Sequence, residues 1–327
     1  MAKVSVIIPA YNAELYIEAT IKSITAQTER DIEIIVVDDG SKDGTYSVVS
    51  RLAEEDHRVR VIRQPNSGKP GIARNTGLGQ ASGEFIGFLD ADDLYHPDKL
   101  KRQLAIFADH PESDIVFHEV RYLSVDGKPL PDTLLGSADY LKHAGQALNG
   151  VEPNLYFGAA TFYNFMSVEM TGIHTSSVLV RRQLIEQENP PFAQDLVIGE
   201  DIDLWFRLVK GRNVVFLNEE LSYYRQHPTS ITTDDEKLLL GAIAAHSRNL
   251  ERARQVLSES EIRRYESRIA RQYRNLGYLY FRAQQEGPAR IAYANSLRRR
   301  FSFGVAIALV KTFAPRWVVA KYRHIRS

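Results

Sequence analysis

The sequence predicts an α/β fold: a mainly parallel sheet flanked by helices, with an all-helical extension at the C-terminal end. Three observations predict it. Short Val/Ile-rich runs alternate with helical spacing over roughly the first 110 residues. The runs are apolar at almost every position, as strands buried on both faces are. From about residue 236 the strand pattern stops and only helical spacing remains.

The elements follow in order. "VSVIIPA" (4–10) reads as the first strand, and Leu15, Ile17, Ile21 and Ile24 then keep helical spacing. "IEIIVVDDGSKDGT" is a second buried strand running into acids and glycines, and "TYSVVSRLAEE" a second helix. "RVRVIRQP" is a strand, "GIARNTGLGQA" a helix and "GEFIGFLDADD" a strand. "HPDKLKRQLAIFADH" is a further helix, opened by Pro97. In such sheets ligands sit outside the carboxyl ends of the strands. Here those ends carry residues 9–12, 38–41, 66–69 and 90–93, so four polar clusters converge on one edge.

Composition narrows the class. A chain of 327 residues with 44% hydrophobic and 25% charged side chains can bury a real core and is not disordered by composition. It has no cysteine, which excludes disulfides and thiolate metal sites and fits a reducing compartment. "MAKVSVIIPAYNAE" lacks the length and cleavage site of a signal peptide, so a cytoplasmic location is expected. The net charge of zero conceals an asymmetry, because residues 287–327 carry nine Lys/Arg and no Asp/Glu. That tail is either a solvated helical face or a surface for an anionic partner. No nucleic acid is expected, because the acidic body would oppose it.

The familiar nucleotide motifs are missing. No G-x-G-x-x-G follows the first strand and there is no G-x-x-x-x-G-K-[ST], so a phosphate must be held in another way. "DADD" (90–93) suits a hard divalent cation, Mn²⁺ or Mg²⁺, which takes oxygen ligands together with a substrate's phosphates. The alternative is a solvated acidic loop.

With these residues placed, a resemblance can be stated. "VSVIIPAYNAE", "IIVVDDGSKDGT", "ARNTGL", "FLDADD", "GEDIDLWFRL" and "YRQHPTSI" occur in the order and spacing of inverting glycosyltransferase family 2, over roughly residues 3–230. That resemblance implies the GT-A fold and a nucleotide-diphosphate sugar donor. It implies that Pro9, Ala10 and Tyr11 line the wall for base and ribose, Tyr11 stacking on the ring, with Glu14 nearby. Asp39 resembles the carboxylate that accepts the N3–H of uracil; guanine, with its N1–H, remains open. Asp38 reads as a turn residue. Arg74 is expected to face the uracil or the diphosphate, or else to pair with the acids nearby, and Lys69 to meet a phosphate. Asp92 would touch the ribose, Asp93 would coordinate the metal, and Asp90 would support the loop.

Inverting transfer also needs a base for the acceptor hydroxyl. Leu204, Leu208 and Val209 keep helical spacing, which puts Glu200 and Asp201 at a helix start, where the dipole stabilises a carboxylate. The resemblance assigns the base to Asp201, with Glu200 beside it. His227 matches a position that supplies a further metal ligand or diphosphate contact, and beside it Arg225 would pair with phosphate oxygens and Ser230 would meet the diphosphate or the acceptor. "GIHTSSVLVRR" resembles the acceptor-facing strand, where His174 and Thr175 would meet the incoming hydroxyl. The aromatic stretch at 124–172 is expected to shape the acceptor pocket.

The expected organisation is a GT-A domain over 1–235, with a nucleotide-sugar half (1–123) and an acceptor half (124–235). A basic helical region follows over 236–327. "YRNLGYLYFRAQQEGPARIAYANSLRRR" has the rhythm of a helical hairpin, with Gly277, Ala283, Ala289 and Ala294 at close-packing positions. The last segment, "FSFGVAIALVKTFAPRWVVAKYRHIRS", is apolar and basic, its longest apolar stretch too short to span a bilayer. It predicts interfacial binding to an anionic membrane with Phe313 and Trp317 as anchors, placing the protein on the cytoplasmic face. The expected reaction moves a sugar from a UDP-sugar to a hydroxyl of a saccharide, lipid-linked or part of a surface polysaccharide. Alternatives are a protein or small-molecule acceptor, or an inactive sugar-nucleotide-binding scaffold. A nucleotidylyltransferase would need a Gly-rich loop after the first strand, and "PAYNAE" is not one.

Overall fold

The structure is a computed structural model that describes residues 2–145, 147–151, 153–159 and 161–313. The chain divides into two compact units. One comprises Met1–Met166 and Met170–Ser230, the other Ser167–Glu169 and Ile231–Ser327.

The first unit opens with β1 (Val4–Ala10), α1 (Ile17–Thr25), β2 (Ile32–Asp38), α2 (Thr45–Glu55), β3 (Val59–Arg63), α3 (Pro70–Leu78) and β4 (Phe85–Phe88). β1 pairs in parallel with β2 on one side and β4 on the other, and β3 pairs in parallel with β2. Val4, Val6, Ile7 and Ile8 of β1 and Ile34, Ile35, Val36 and Val37 of β2 are fully buried, which is why both strands read as unbroken apolar runs. Leu15 departs from the periodic reading: it precedes α1 and is exposed. The strand order β3-β2-β1-β4 reverses at β1, and the crevice at such a reversal is where a ligand binds in open α/β sheets.

The unit continues with β5 (Leu94–Tyr95), α4 (Lys99–Asp109), β6 (Ile115–Leu123), β7 (Pro129–Thr133), α5 (Tyr140–Ala144), β8 (Asn149–Val151), β9 (Asn154–Phe157), α6 (Thr161–Val168), β10 (Leu179–Arg181), α7 (Arg182–Ile185), α8 (Glu200–Leu208) and β11 (Val214–Arg225). β10 lies antiparallel between β4 and β6 and carries the sheet on through β11, β9 and β8, eleven strands among the described residues. Tyr140, Phe157, Phe162, Tyr163 and Phe165, in the stretch expected to shape a pocket, are buried in the core. Tyr140 packs on Phe117 of β6 and Phe216 of β11, and Phe162 packs on Phe117 and Phe157. The broad face of β6 and β11 has to be covered, and the side chains of α5 and α6 cover it.

The second unit holds α9 (Asp235–Ala253), α10 (Glu259–Arg282), α11 (Glu286–Arg299) and α12 (Phe303–Lys311). Ser258 and Glu261 form a reciprocal capping box at the start of α10. α10 and α11 form the expected hairpin. A Cβ on Gly277 would lie 2.6 Å from the Tyr293 ring, and Ala289 is buried. Ala283, expected at a packing position, instead ends α10 in solvent. Val305 of α12 packs against Ala289 and Tyr293, while Phe303, Ile307 and Val310, at helical spacing on the other face, are 74%, 44% and 68% exposed. Among the described residues no helix is long and apolar enough to cross a membrane. Phe313 is exposed, with the Arg290 guanidinium 4.1 Å over its ring. Trp317 lies outside the described residues.

Candidate active site

The loops at the strand ends of the first unit are tied to one another. After β1, Pro9 and Ala10 give way to Tyr11, whose ring is 47% exposed. Asn12 takes a left-handed conformation; its amide donates to Ser41 Oγ (3.0 Å) and its Oδ1 accepts from Lys42 N (2.9 Å). The Glu14 carboxylate accepts from Gly44 N (2.9 Å), so it fastens the start of α2. Asp38 is buried and accepts from Ser41 N (3.2 Å), which closes the turn. Asp39 accepts from Gln64 Nε2 (2.6 Å), Ser67 N (3.1 Å) and Ser67 Oγ (2.8 Å), and so organises the loop before α3. Lys69 heads α3, and its ammonium donates to the Gln194 carbonyl (2.6 Å).

The carboxylates at 90–93 face different neighbours. Arg74 of α3 is buried between two of the acids, donating to Asp90 Oδ1 at 2.7 Å and Glu200 Oε1 at 2.6 Å. Burial works against its charge, yet Asp90, Glu200 and Asp201 more than offset this and hold the guanidinium more firmly protonated than usual. Of the orientations open to Arg74, the structure has the one in which it joins acids. Asp92 Oδ2 lies 2.8 Å from His227 Nε2. Asp93 is fully buried, its Oδ2 accepting from Ser176 Oγ (2.7 Å) and its Oδ1 from Arg225 N (3.1 Å). Burial, followed by the charges of Asp92 and Asp90, pushes the Asp93 carboxyl well above the usual range. Burial and Asp90 also raise Asp92, against the pull of His227.

Such crowding fits a cation. Donor atoms of Asp90, Asp93 and His174 lie within 4.8 Å of one another. Burial lowers the His174 pKa, which favours the neutral imidazole that metal ligation needs. The imidazole that shares this cluster with Asp93 is therefore that of His174, while His227 stands against Asp92 and, through Nδ1, Thr229 Oγ1 (2.9 Å).

The acids of α8 meet this cluster from the other side. Gly199 caps α8 at φ +85°, a conformation that side chains rarely adopt, and this turns Glu200 and Asp201 into the first helical turn. Gly71 of α3 leaves space for the same turn, since a Cβ there would lie 2.8 Å from Glu200 Cγ. The Glu200 carboxyl is pushed up to about 7 by burial and the Asp201 charge, against the pull of Arg74. Asp201 accepts from Thr175 Oγ1 through Oδ2 (3.1 Å) and from Ile202 N through Oδ1 (2.8 Å).

Arg225 is buried, contrary to the picture of an arginine open to phosphate. Its guanidinium donates to the carbonyls of Asp92 (3.1 Å) and Val125 (3.1 Å) and lies 5.2 Å over the Tyr16 ring. It holds the acidic loop in place. Ser230 N donates to the His227 carbonyl (3.1 Å), which turns the chain after β11. Sequence reasoning missed Gln64 and Ser67, the partners of Asp39, and Tyr16, whose ring lies 4.9 Å from that of His227. Only the "NSGKPG" turn chemistry signalled any of them.

Comparison with known proteins adds the following. Residues 5–171 match the family model described as Glycosyl transferase family 2. The chain is 31% identical over 237 residues to the putative teichuronic acid biosynthesis glycosyltransferase TuaG of Bacillus subtilis (strain 168), covering 72% of this chain and 83% of TuaG. It spans 36% to 65% of the length of four further curated glycosyltransferases that it matches. Among solved structures, S. aureus TarS 1–349 in complex with UDP-GlcNAc aligns with a TM-score of 0.66 at 20% identity, over 98% of this chain and 92% of that one. The mannosyltransferase PcManGT from Pyrobaculum calidifontis in complex with GDP-Man and Mn²⁺ aligns with a TM-score of 0.55 at 19% identity, over 94% and 79%. At those identities the likeness is one of fold.

Proposed function

The chain belongs to glycosyltransferase family 2 and is a glycosyltransferase with a GT-A fold, and from that premise we propose that it moves a sugar from a UDP-sugar to a hydroxyl of a saccharide acceptor with inversion. The observation that carries the proposal is the meeting of two acid groups on one sheet edge, Asp90 with Asp93 and Glu200 with Asp201, bridged by buried Arg74. Asp201, set at a helix start and steadied by Thr175, takes the proton of the acceptor hydroxyl as it attacks. Glu200, tied to Arg74, fixes the angle at which that helix presents Asp201. Asp93, with Asp90 and His174, supplies a donor set of oxygen and imidazole suited to Mn²⁺ or Mg²⁺. A divalent cation held there would neutralise the charge left on the departing diphosphate. His227 and Asp92 face the ribose and diphosphate as a hydrogen-bonded pair. Pro9, Ala10 and Tyr11 form the base wall, Asp39 reads an N–H of the base, and Lys69 neighbours the phosphates; Glu14 and Arg225 hold the loops that carry these groups.

TarS is known in complex with UDP-GlcNAc and PcManGT in complex with GDP-Man and Mn²⁺, which supports a nucleotide-sugar donor and a metal. TuaG is named for teichuronic acid biosynthesis, which supports a polymer under construction as the acceptor. A panel of UDP- and GDP-sugars given to the purified protein with Mn²⁺ tests the donor: release of UDP from one sugar is expected, and release of GDP alone would overturn the uracil reading of Asp39. Acceptor class follows from which of extracted lipid-linked oligosaccharide, peptide or free sugar takes the label. UDP binding without turnover of any donor would leave the inactive-scaffold alternative standing.

The exposed apolar stripe of α12, with Arg298, Arg299 and Arg300 just before it, supports association with an anionic membrane surface. The expected result is co-sedimentation with phosphatidylglycerol-containing vesicles at low salt, lost when Phe303, Ile307 and Val310 are replaced by Ser. Wild-type protein that stays in solution with these vesicles at low salt contradicts it.

A further inference from the structure

We infer that the single helical turn Thr175–Ser177 is a positioning device that holds the base and the metal carboxylate in one frame, anchored from behind by Lys99 and Gln103 of α4. The inference rests on the glycosyl-transfer reading above. Three consecutive hydroxyls of the turn, all buried, go to three different places. Thr175 Oγ1 donates to Asp201 Oδ2 (3.1 Å), Ser176 Oγ to Asp93 Oδ2 (2.7 Å), and Ser177 Oγ back to the His174 carbonyl (2.8 Å). His174, one residue earlier, accepts from Ser176 N through Nδ1 (3.3 Å) while standing in the carboxylate cluster. Two of these hydroxyls thus orient two carboxylates that lie 108 positions apart in the chain, and a shift of the turn moves both.

The turn is anchored by polar side chains where apolar ones would pack more cheaply. Ser177 O accepts from Gln103 Nε2 (2.9 Å), which also donates to Val116 O of β6 (2.9 Å). Val178 O accepts from Lys99 Nζ (3.4 Å), whose ammonium sits 3.9 Å over the Tyr95 ring. Both side chains are fully buried, and burial pushes the Lys99 ammonium well below its usual range. A lysine buried without a carboxylate among its described bonds costs stability that Met or Leu would not. What it supplies in return is a second donor that fixes the carbonyls leaving the turn.

The inference predicts that the two hydroxyls separate. Thr175→Val keeps the shape and removes the bond to Asp201, so kcat should fall about tenfold with Mn²⁺ binding unchanged, and Thr175→Ser should restore it. Ser176→Ala should weaken Mn²⁺ binding about tenfold, read by electron paramagnetic resonance on the resting protein without donor, with a smaller change in kcat. Gln103→Leu should move both quantities together. The inference is overturned if Thr175→Val and Ser176→Ala match wild type in both readouts. It is equally overturned if each lowers both readouts alike together with the melting temperature, which is what ordinary packing gives. Wild-type protein that binds Mn²⁺ but cleaves no donor would instead overturn the transfer reading, and the Ser176→Ala binding result would still stand or fall separately.

Discussion

Asp201→Asn is expected to lower kcat by about 10³-fold while UDP binding in the presence of Mn²⁺ stays near wild type. The substitution keeps the volume of the side chain; its amide oxygen can still accept from Ile202 N, and the Thr175 hydroxyl, which bonds the other oxygen in the wild type, can turn to accept from the amide N–H. What disappears is the ability to take a proton, and positioned general bases contribute about 10²–10⁴-fold. The helix start adds weight to this side chain, because Gly199 and the first turn of α8 fix where its carboxylate stands. Steady-state kinetics with the preferred donor, alongside calorimetric titration of UDP, separates the two effects. Full activity in the Asn variant removes Asp201 from the chemistry.

Arg74→Leu is expected to be the most destabilising single change in the first unit, by about 3–5 kcal/mol, because it strands two carboxylates in a buried site. Both Asp90 and Glu200 lose their bridging donor at once. For a domain of this size the loss corresponds to a melting temperature lower by about 10 °C. The deficit should depend on pH. The Glu200 carboxyl already sits at about 7, above its ordinary 4.5, and removing the arginine raises it further. A carboxyl whose folded pKa exceeds its unfolded value costs stability once the pH rises above the unfolded value, and that cost fades as the pH falls back toward it. The variant should therefore lose more relative to wild type at pH 8 than at pH 5. Thermal unfolding of both proteins across that range measures it, and a deficit independent of pH means that the pairing with Glu200 carries little energy.

How far the sequence could be read follows from the range of each interaction. β1 and β2 are legible because a strand covered on both faces needs Val or Ile at nearly every position, and their polar ends mark the sheet edge without any pairing information. β5, β8 and β10 have two or three residues each, too few for a period to show. The aromatic residues at 140–165 read as pocket lining because composition does not say which face a ring occupies; only the pairing of β6 with β11 creates the surface they cover. The acids at 90–93 and at 200–201 were identifiable as chemistry. Arg74 reaches Glu200 across 126 positions, and no spacing rule encodes that. His174 and His227 are alike as letters, and their separate partners, the Asp90–Asp93 cluster and Asp92, emerge only when β11 and the 175–177 turn come together. Gly71 reads as the opening residue of a helix and Gly199 as the start of another, and neither position says that each is needed to let α8 present its acids.

The measurement that bears most directly on the central claim is UDP release from the donor panel by wild type with Mn²⁺, by wild type with EDTA, and by Asp93→Ala with Mn²⁺. The account predicts cleavage of one UDP-sugar by the first, and its loss in the other two. If wild type with Mn²⁺ neither cleaves nor binds any of the donors, the carboxylates at 90–93 do not serve a sugar nucleotide, and the proposed division of labour between Asp93 and Asp201 is wrong.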